Sequence, residues 1–156
     1  MTMDQAAALR TAELFLRRDQ LEPVESGGGD AARACLDRAR RRLDALDVLI
    51  DGEHWETAFT TAYDAYRTAA DAIVLLLGYR VPAVKGAHRV PTDIAHAALQ
   101  NGTDAFGPVI ADRFRAGRHE SEYFDPDRPV DKTEDDARWA QATASAAVGA
   151  VAAALG

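Results

Sequence analysis

The chain has 156 residues, a net charge of −7 at pH 7, and alanine as its most frequent residue. This length suits one domain with a buried core, and the abundance of Ala, Leu and Arg favours helices. Nucleic-acid-binding domains are usually basic overall. The acidic balance therefore excludes a surface that is basic throughout and restricts any RNA contact to a local patch.

Cysteine content and hydropathy indicate a cytoplasmic protein. The single cysteine, Cys35, excludes a disulfide within the chain, fits a reducing compartment, and is expected to be a buried structural thiol. The segment Met1 to Arg18 carries Asp4 and Glu13, so we expect no signal peptide. The weakly polar run from Ala144 to Leu155 is too short to span a bilayer. We expect no membrane association.

The N-terminal part predicts one helix and a connector. Apolar residues recur on one side from Ala6 to about Arg18, which predicts the first helix. The Gly-rich segment Ser26 to Gly29 then predicts a flexible connector. We therefore divide the chain into an N-terminal helix with its connector, residues 1–29, and a helical bundle domain, residues 30–156.

Two long helices are predicted next. The second helix spans Ala31 to Asp51, with Asp30 as its N-cap, and carries a basic run, residues 40–42, that either contacts phosphate or forms a solvated face. The third helix spans Trp55 to Leu77 and ends at Gly78. Its long apolar and aromatic stripe indicates a central helix with several neighbours.

The C-terminal half predicts three further helices. After a loop from Tyr79 to Pro91, a short fourth helix spans about Thr92 to Gln100, and a fifth spans about Asp104 to Arg118, with a possible extension to Tyr123. Thr133 is expected to cap the last helix, Glu134 to Leu155, with Asp136 as capping-box partner. No run reads as a strand. The sequence predicts an all-α, antiparallel bundle of five or six helices.

The densest polar chemistry lies between Arg113 and Tyr123. Three arginines and one histidine, His119, fall within seven positions there. Such groups could bind phosphate and move a proton, as metal-independent RNA cleavage requires. The same residues could instead be a basic helix end that complements the helix dipole. Arg113 and His119 are six positions apart and diverge by about 120° on an unbroken helix. No spacing typical of a metal or cofactor site occurs.

A resemblance to the HEPN family is carried by three stretches in order. The stretch Ala62 to Ala72, running into Leu75 to Gly78, resembles the central helix of that family. The segment Gly86 to Arg89 resembles its His-containing segment before the next helix. Arg118, followed by Glu122-Tyr123, resembles its late Arg followed by an acidic residue and Tyr.

The resemblance implies a helical bundle that forms a homodimer and is often a ribonuclease of toxin or defence type. Its hallmark is an Arg with a polar follower and a His four to six residues after the Arg. Arg113 with His119 satisfies the spacing, but Phe114 replaces the polar follower. Arg118 has a polar follower, but Tyr123 stands in place of the His. We favour this second alignment, in which catalysis is in doubt because the ordinary pKa of Tyr is about 10.

These observations predict an HEPN-like domain that binds RNA, a nucleotide or a protein partner as a homodimer, without requiring catalysis. The resemblance also implies one specific partner, a nucleotidyltransferase-type antitoxin that would modify Tyr123. Two alternatives stay open. One is a metal-independent ribonuclease that uses Arg113 or Arg118 on phosphate and His119 as acid and base. The other is a helical dimerisation or scaffold domain.

Overall fold

The apolar periodicity of the sequence produces a bundle of six helices in the computed structural model, which describes residues 2–156. The prediction of an all-α helical bundle is confirmed, with one small sheet in addition. The helices are α1 Gln5–Leu16, α2 Gly29–Asp51, α3 Trp55–Leu76, α4 Val90–Leu99, α5 Pro108–Glu120 and α6 Glu134–Leu155. The strands are β1 Glu22–Pro23 and β2 Tyr79–Arg80.

Helix α3 lies at the centre of the bundle, as its wide apolar stripe predicts. It packs against α2, α4, α5 and α6. Its buried residues include many alanines, which let the neighbouring helices approach closely, and the large side chains of Tyr66 and Ile73. The Tyr66 hydroxyl donates a hydrogen bond to the Ala105 carbonyl at 2.8 Å, which satisfies its polar atom inside the core.

The two predicted helix caps have different outcomes. The capping box of α6 is confirmed: the Thr133 hydroxyl accepts from the Asp136 N–H, and the Asp136 carboxylate accepts from the Thr133 N–H at 2.9 Å. The prediction of Asp30 as N-cap of α2 is wrong, because Gly28 occupies that position and the helix begins at Gly29. The Gly28 N–H donates to the Leu75 carbonyl at 2.8 Å, which holds this glycine outside the helix.

A short antiparallel sheet joins the segment before α2 to the segment after α3. Glu22 lies opposite Arg80, and Pro23 lies opposite Tyr79. The expectation of no strand is wrong, because strands of two residues are too short to show alternation. The Gly-rich segment packs against the end of α3, where a Cβ on Gly27 would lie 2.9 Å from the Gly78 Cα.

Helix α1 packs on α4. Its N-cap residue Asp4 accepts from the Ala7 N–H at 2.9 Å, and the Asp4 N–H donates to the Ala98 carbonyl at 2.8 Å.

Among residues 2–156, no helix combines the length and the apolar character that crossing a membrane requires.

Two further helix starts are displaced from their predicted positions. Helix α4 begins at Val90, after a 3-10 turn at Ala87–Arg89, rather than at Thr92. Helix α5 begins at Pro108 rather than at Asp104, because the Asp104 carbonyl accepts from the Gly107 N–H and closes a turn first. Proline then stands at the first helical position, where its lack of an N–H costs nothing.

Candidate functional site

Helix α5 is unbroken from Pro108 to Glu120, so its charged residues point in different directions. The Arg113 guanidinium lies 3.8 Å from the centre of the Trp139 ring, on the side facing α6. His119 lines a groove on the side facing α3. Arg113 and His119, which the first alignment pairs, therefore lie on different sides of α5 and do not come together within one chain.

Aromatic packing fixes the orientation of α5. Phe114 is fully buried, and its ring contacts those of Tyr63, Tyr66 and Trp139 at centroid distances of 5.5, 4.8 and 5.1 Å. This explains why a phenylalanine follows Arg113, since a polar side chain there would enter the core. With Phe114 pointing inward, Arg118 and His119 are directed to the edge of α3.

The groove lies between α3, α5 and the turn that precedes α4, and its volume is about 650 Å³. A site of this size fits a small organic ligand. Its charged and polar lining residues are Tyr63, Asp64, Arg67, His88, Asp112, Arg115, Arg118, His119 and Glu122. Two of the predicted site residues, Arg118 and His119, thus lie in one groove.

Carboxylates pair with two of the three arginines of the groove. The Arg118 Nη1 atom lies 3.1 Å from the Glu122 carboxylate, and its Nε lies 4.0 Å from that of Asp64. Arg115 pairs with Asp112 on the same helix. Among residues 2–156, no carboxylate forms an ion pair with Arg67, so its guanidinium keeps unused donors at the groove.

The groove also holds two histidines. Burial lowers the pKa of His88, and the positive charges of Arg115, Arg89 and Arg67 lower it further. His88 is therefore neutral at pH 7 and can accept a proton. The second histidine, His119, has its Nδ1 atom 3.6 Å from the Glu122 carboxylate.

Tyr123 lies beyond the end of α5, at the rim of the groove. Its side chain is exposed, and its ring meets that of His119 edge-on at a centroid distance of 5.4 Å. Tyr123 lines a separate depression that also contains Phe124 and Arg128. The Arg118–Tyr123 alignment thus has one residue in the groove and one beside it.

The loop between α5 and α6 is anchored by a buried lysine. Lys132 is only 5% exposed, and its Nζ lies 2.8 Å from the Asp131 carboxylate and 3.6 Å from that of Glu120. The Ser121 hydroxyl also hydrogen-bonds Asp131. These contacts hold the start and the end of the loop together beside the groove.

The sequence did not predict most of the residues that line the groove. Arg67 lies four residues after Tyr63 on α3, beside the apolar stripe, and this spacing was its only signal. His88 comes from the turn before α4, so its position depends on the tertiary fold. Arg115 lies four residues before His119, and this spacing places both on one face of α5.

Comparison of the chain with protein-family models, with curated proteins and with solved structures gave no match. The resemblance to the HEPN family therefore stays a prediction carried by the sequence motifs.

Proposed function

We propose that the groove binds a phosphate-bearing ligand, a nucleotide or the backbone of an RNA, without requiring turnover. The observation that carries this proposal is the guanidinium of Arg67, which lies at a groove shared with two further arginines and has no carboxylate partner among residues 2–156. Guanidinium groups bind phosphate oxygens through two parallel N–H donors.

The neighbouring ion pairs suit a ligand of limited charge. Arg115 and Arg118 are each held by a carboxylate, which orients them before a ligand arrives. The carboxylates of Asp64, Asp112 and Glu122 would also repel a long polyanion. A mononucleotide or a short single-stranded end fits this balance better than a duplex.

A metal-independent ribonuclease is the second candidate, because His88 and His119 line the same groove as the arginines. His88 would accept the proton of a ribose 2′-hydroxyl as its oxygen forms a bond to phosphorus. His119 would donate a proton to the 5′-oxygen as the bond between that oxygen and phosphorus breaks. The arginines would stabilise the charge on the phosphorus-bound oxygens.

An association role is supported by apolar surface beside the groove. The side chains of Phe124 and Val130 are largely exposed in the loop between α5 and α6. A second copy of the chain, or the nucleotidyltransferase-type partner implied by the resemblance, would cover them and bring Tyr123 into a contact. A scaffold or dimerisation domain would use the apolar surface at Phe124 and Val130 and would not need the groove.

Calorimetric titration with pyrophosphate and with nucleoside 5′-monophosphates tests the binding proposal. We expect Arg67→Ala and Arg118→Ala each to weaken binding at least about tenfold, the usual effect of losing a charged hydrogen bond. Arg10→Ala, on an exposed part of α1, is the matched control and should bind as the wild type does. No binding by the wild type, or equal binding by all variants, contradicts the proposal.

RNA degradation in the presence of EDTA separates binding from catalysis. Cleavage by the wild type that disappears in both His88→Ala and His119→Ala would establish the ribonuclease. Binding of pyrophosphate without any cleavage would support the binding module.

A further inference from the structure

A second, smaller cleft adjoins the groove on the other side of Arg67. Its volume is about 240 Å³, and Arg67 lines both concavities. Sites for whole drug-sized ligands span about 300–1,000 Å³, so this cleft suits a single ring system. The other lining residues come from α2, α3 and β2 and the residue after it, and they are Cys35, Asp71, Val74, Leu75, Tyr79, Arg80 and Val81.

Most of the cleft wall is apolar or already paired. Val74, Leu75 and Val81 present hydrocarbon, and Tyr79 adds an aromatic ring. The Cys35 thiol donates a hydrogen bond to the Thr68 carbonyl at 3.3 Å, and burial raises the pKa of this thiol to about 11. It is therefore protonated and hydrogen-bonded, but Cys35 is partly buried rather than fully buried as the sequence predicted, and it lines the cleft.

Asp71 is the exception. Its carboxyl is half-buried, yet residues 2–156 provide it with neither a hydrogen-bond donor nor an ion-pair partner. Burial raises its pKa to about 6, although the charges of Arg67 and Arg42 act in the opposite direction. At pH 7 the cleft thus contains a carboxylate whose two oxygens accept no hydrogen bond from the protein, so both can accept from a ligand.

We propose that the cleft binds the guanine base of a nucleotide whose phosphate lies at Arg67 in the adjoining groove. This inference rests on the proposed phosphate-binding function and names its ligand. Guanine presents two adjacent N–H donors on its pairing edge, which match the two oxygens of the Asp71 carboxylate. Adenine presents one donor beside an acceptor, so a carboxylate meets it with only one bond. The apolar walls and Tyr79 would cover the faces of the base.

The spacing of the two charges on α3 fits one nucleotide. Arg67 and Asp71 are four residues apart, so their Cβ atoms lie about 5–6 Å apart along one helix face. Asp71 would therefore contact the base, and Arg67 the phosphate, from neighbouring turns of α3. The Asp71 carboxylate, which would repel phosphate, lies in the cleft that would hold the base. The Arg67 guanidinium, which would attract phosphate, lies at the groove.

Calorimetric titration of the full chain with guanosine, inosine and adenosine 5′-monophosphates tests this inference. Because a well-formed pair of hydrogen bonds to a base discriminates strongly, we expect the guanosine nucleotide to bind at least about tenfold more tightly than the adenosine nucleotide. The inosine nucleotide lacks the exocyclic amino group and should bind with intermediate affinity. Pyrophosphate reports on the groove alone.

The variant Asp71→Asn should lose the preference for guanine while its affinity for pyrophosphate stays unchanged. Asp44→Asn, the same substitution on the exposed face of α2, should keep the preference. Equal affinities for the three nucleotides in the wild type, or an unchanged preference in Asp71→Asn, would overturn the inference while pyrophosphate binding still upholds the groove. Failure to bind pyrophosphate and all three nucleotides would instead overturn the proposed function itself.

Discussion

Replacing Asp71 with Asn should stabilise the protein at neutral pH. Burial raises the pKa of Asp71 from 3.8 to about 6, so the folded state holds this proton more tightly than the unfolded chain does. The stability that comes from the protonated form is complete below the unfolded pKa of 3.8 and is lost as the pH rises through about 6. At about 1.4 kcal/mol per pKa unit, the charged form costs the folded state up to about 3 kcal/mol at pH 7.5.

The Asn side chain keeps the shape of Asp and never ionises. We therefore expect Asp71→Asn to raise the free energy of unfolding by up to about 3 kcal/mol at pH 7.5, and to change it by only about 0.5 kcal/mol at pH 4. Urea unfolding between pH 4 and pH 8, followed by circular dichroism, measures the difference directly.

Asp44→Asn is the control for a general effect of net charge, because Asp44 is exposed on α2. Its effect should stay within about 0.5 kcal/mol at every pH, as for most surface substitutions. An Asp71→Asn variant that is no more stable than the wild type at pH 7.5, or whose effect is the same at both pH values, would refute the reasoning.

Three further predictions concern the surroundings of the groove. Gly117→Ala should destabilise the fold by about 1–3 kcal/mol in urea unfolding, since the new Cβ would lie 2.7 Å from the Phe59 Cε1 in a packed aromatic cluster; unchanged stability would contradict this packing. Thr133→Ala should cost about 1 kcal/mol in the same assay because the α6 cap is lost, and Thr133→Ser should restore it. Arg115→Gln should raise the pKa of His88 in an NMR titration, because one of the positive charges that lower that pKa is removed; an unchanged midpoint would contradict an effect of the Arg115 charge on His88.

Local sequence signals predicted the helices well because each is encoded by its own neighbours in the chain. The stripe of α3 and the capping box of α6 require only residues three or four positions apart. The displaced features depend on distant contacts instead. Gly28, rather than Asp30, is the N-cap of α2, and its N–H reaches the Leu75 carbonyl near the C-terminal end of α3.

In the candidate site too, the sequence predicted what depends on neighbouring residues and did not predict what depends on distant contacts. The sequence indicated Arg118 and His119 because they belong to one cluster on one helix. It did not indicate that His88 and Arg67 meet them, since these residues come from two other segments. The sequence also did not predict that the Asp71 carboxylate would have no hydrogen-bond donor, because only the packed structure shows which donors reach a carboxylate.

The pairing of β1 with β2 closes the hairpin of α2 and α3 at its open end. At the other end, the two helices are already joined by the short turn at residues 52–54. Sliding of α2 along α3 would have to break the hydrogen bond from the Val24 N–H to the Gly78 carbonyl and separate Gly27 from Gly78. These contacts oppose such sliding, so the cleft between Cys35 on α2 and Asp71 on α3 is bordered by two helices that are joined at both ends.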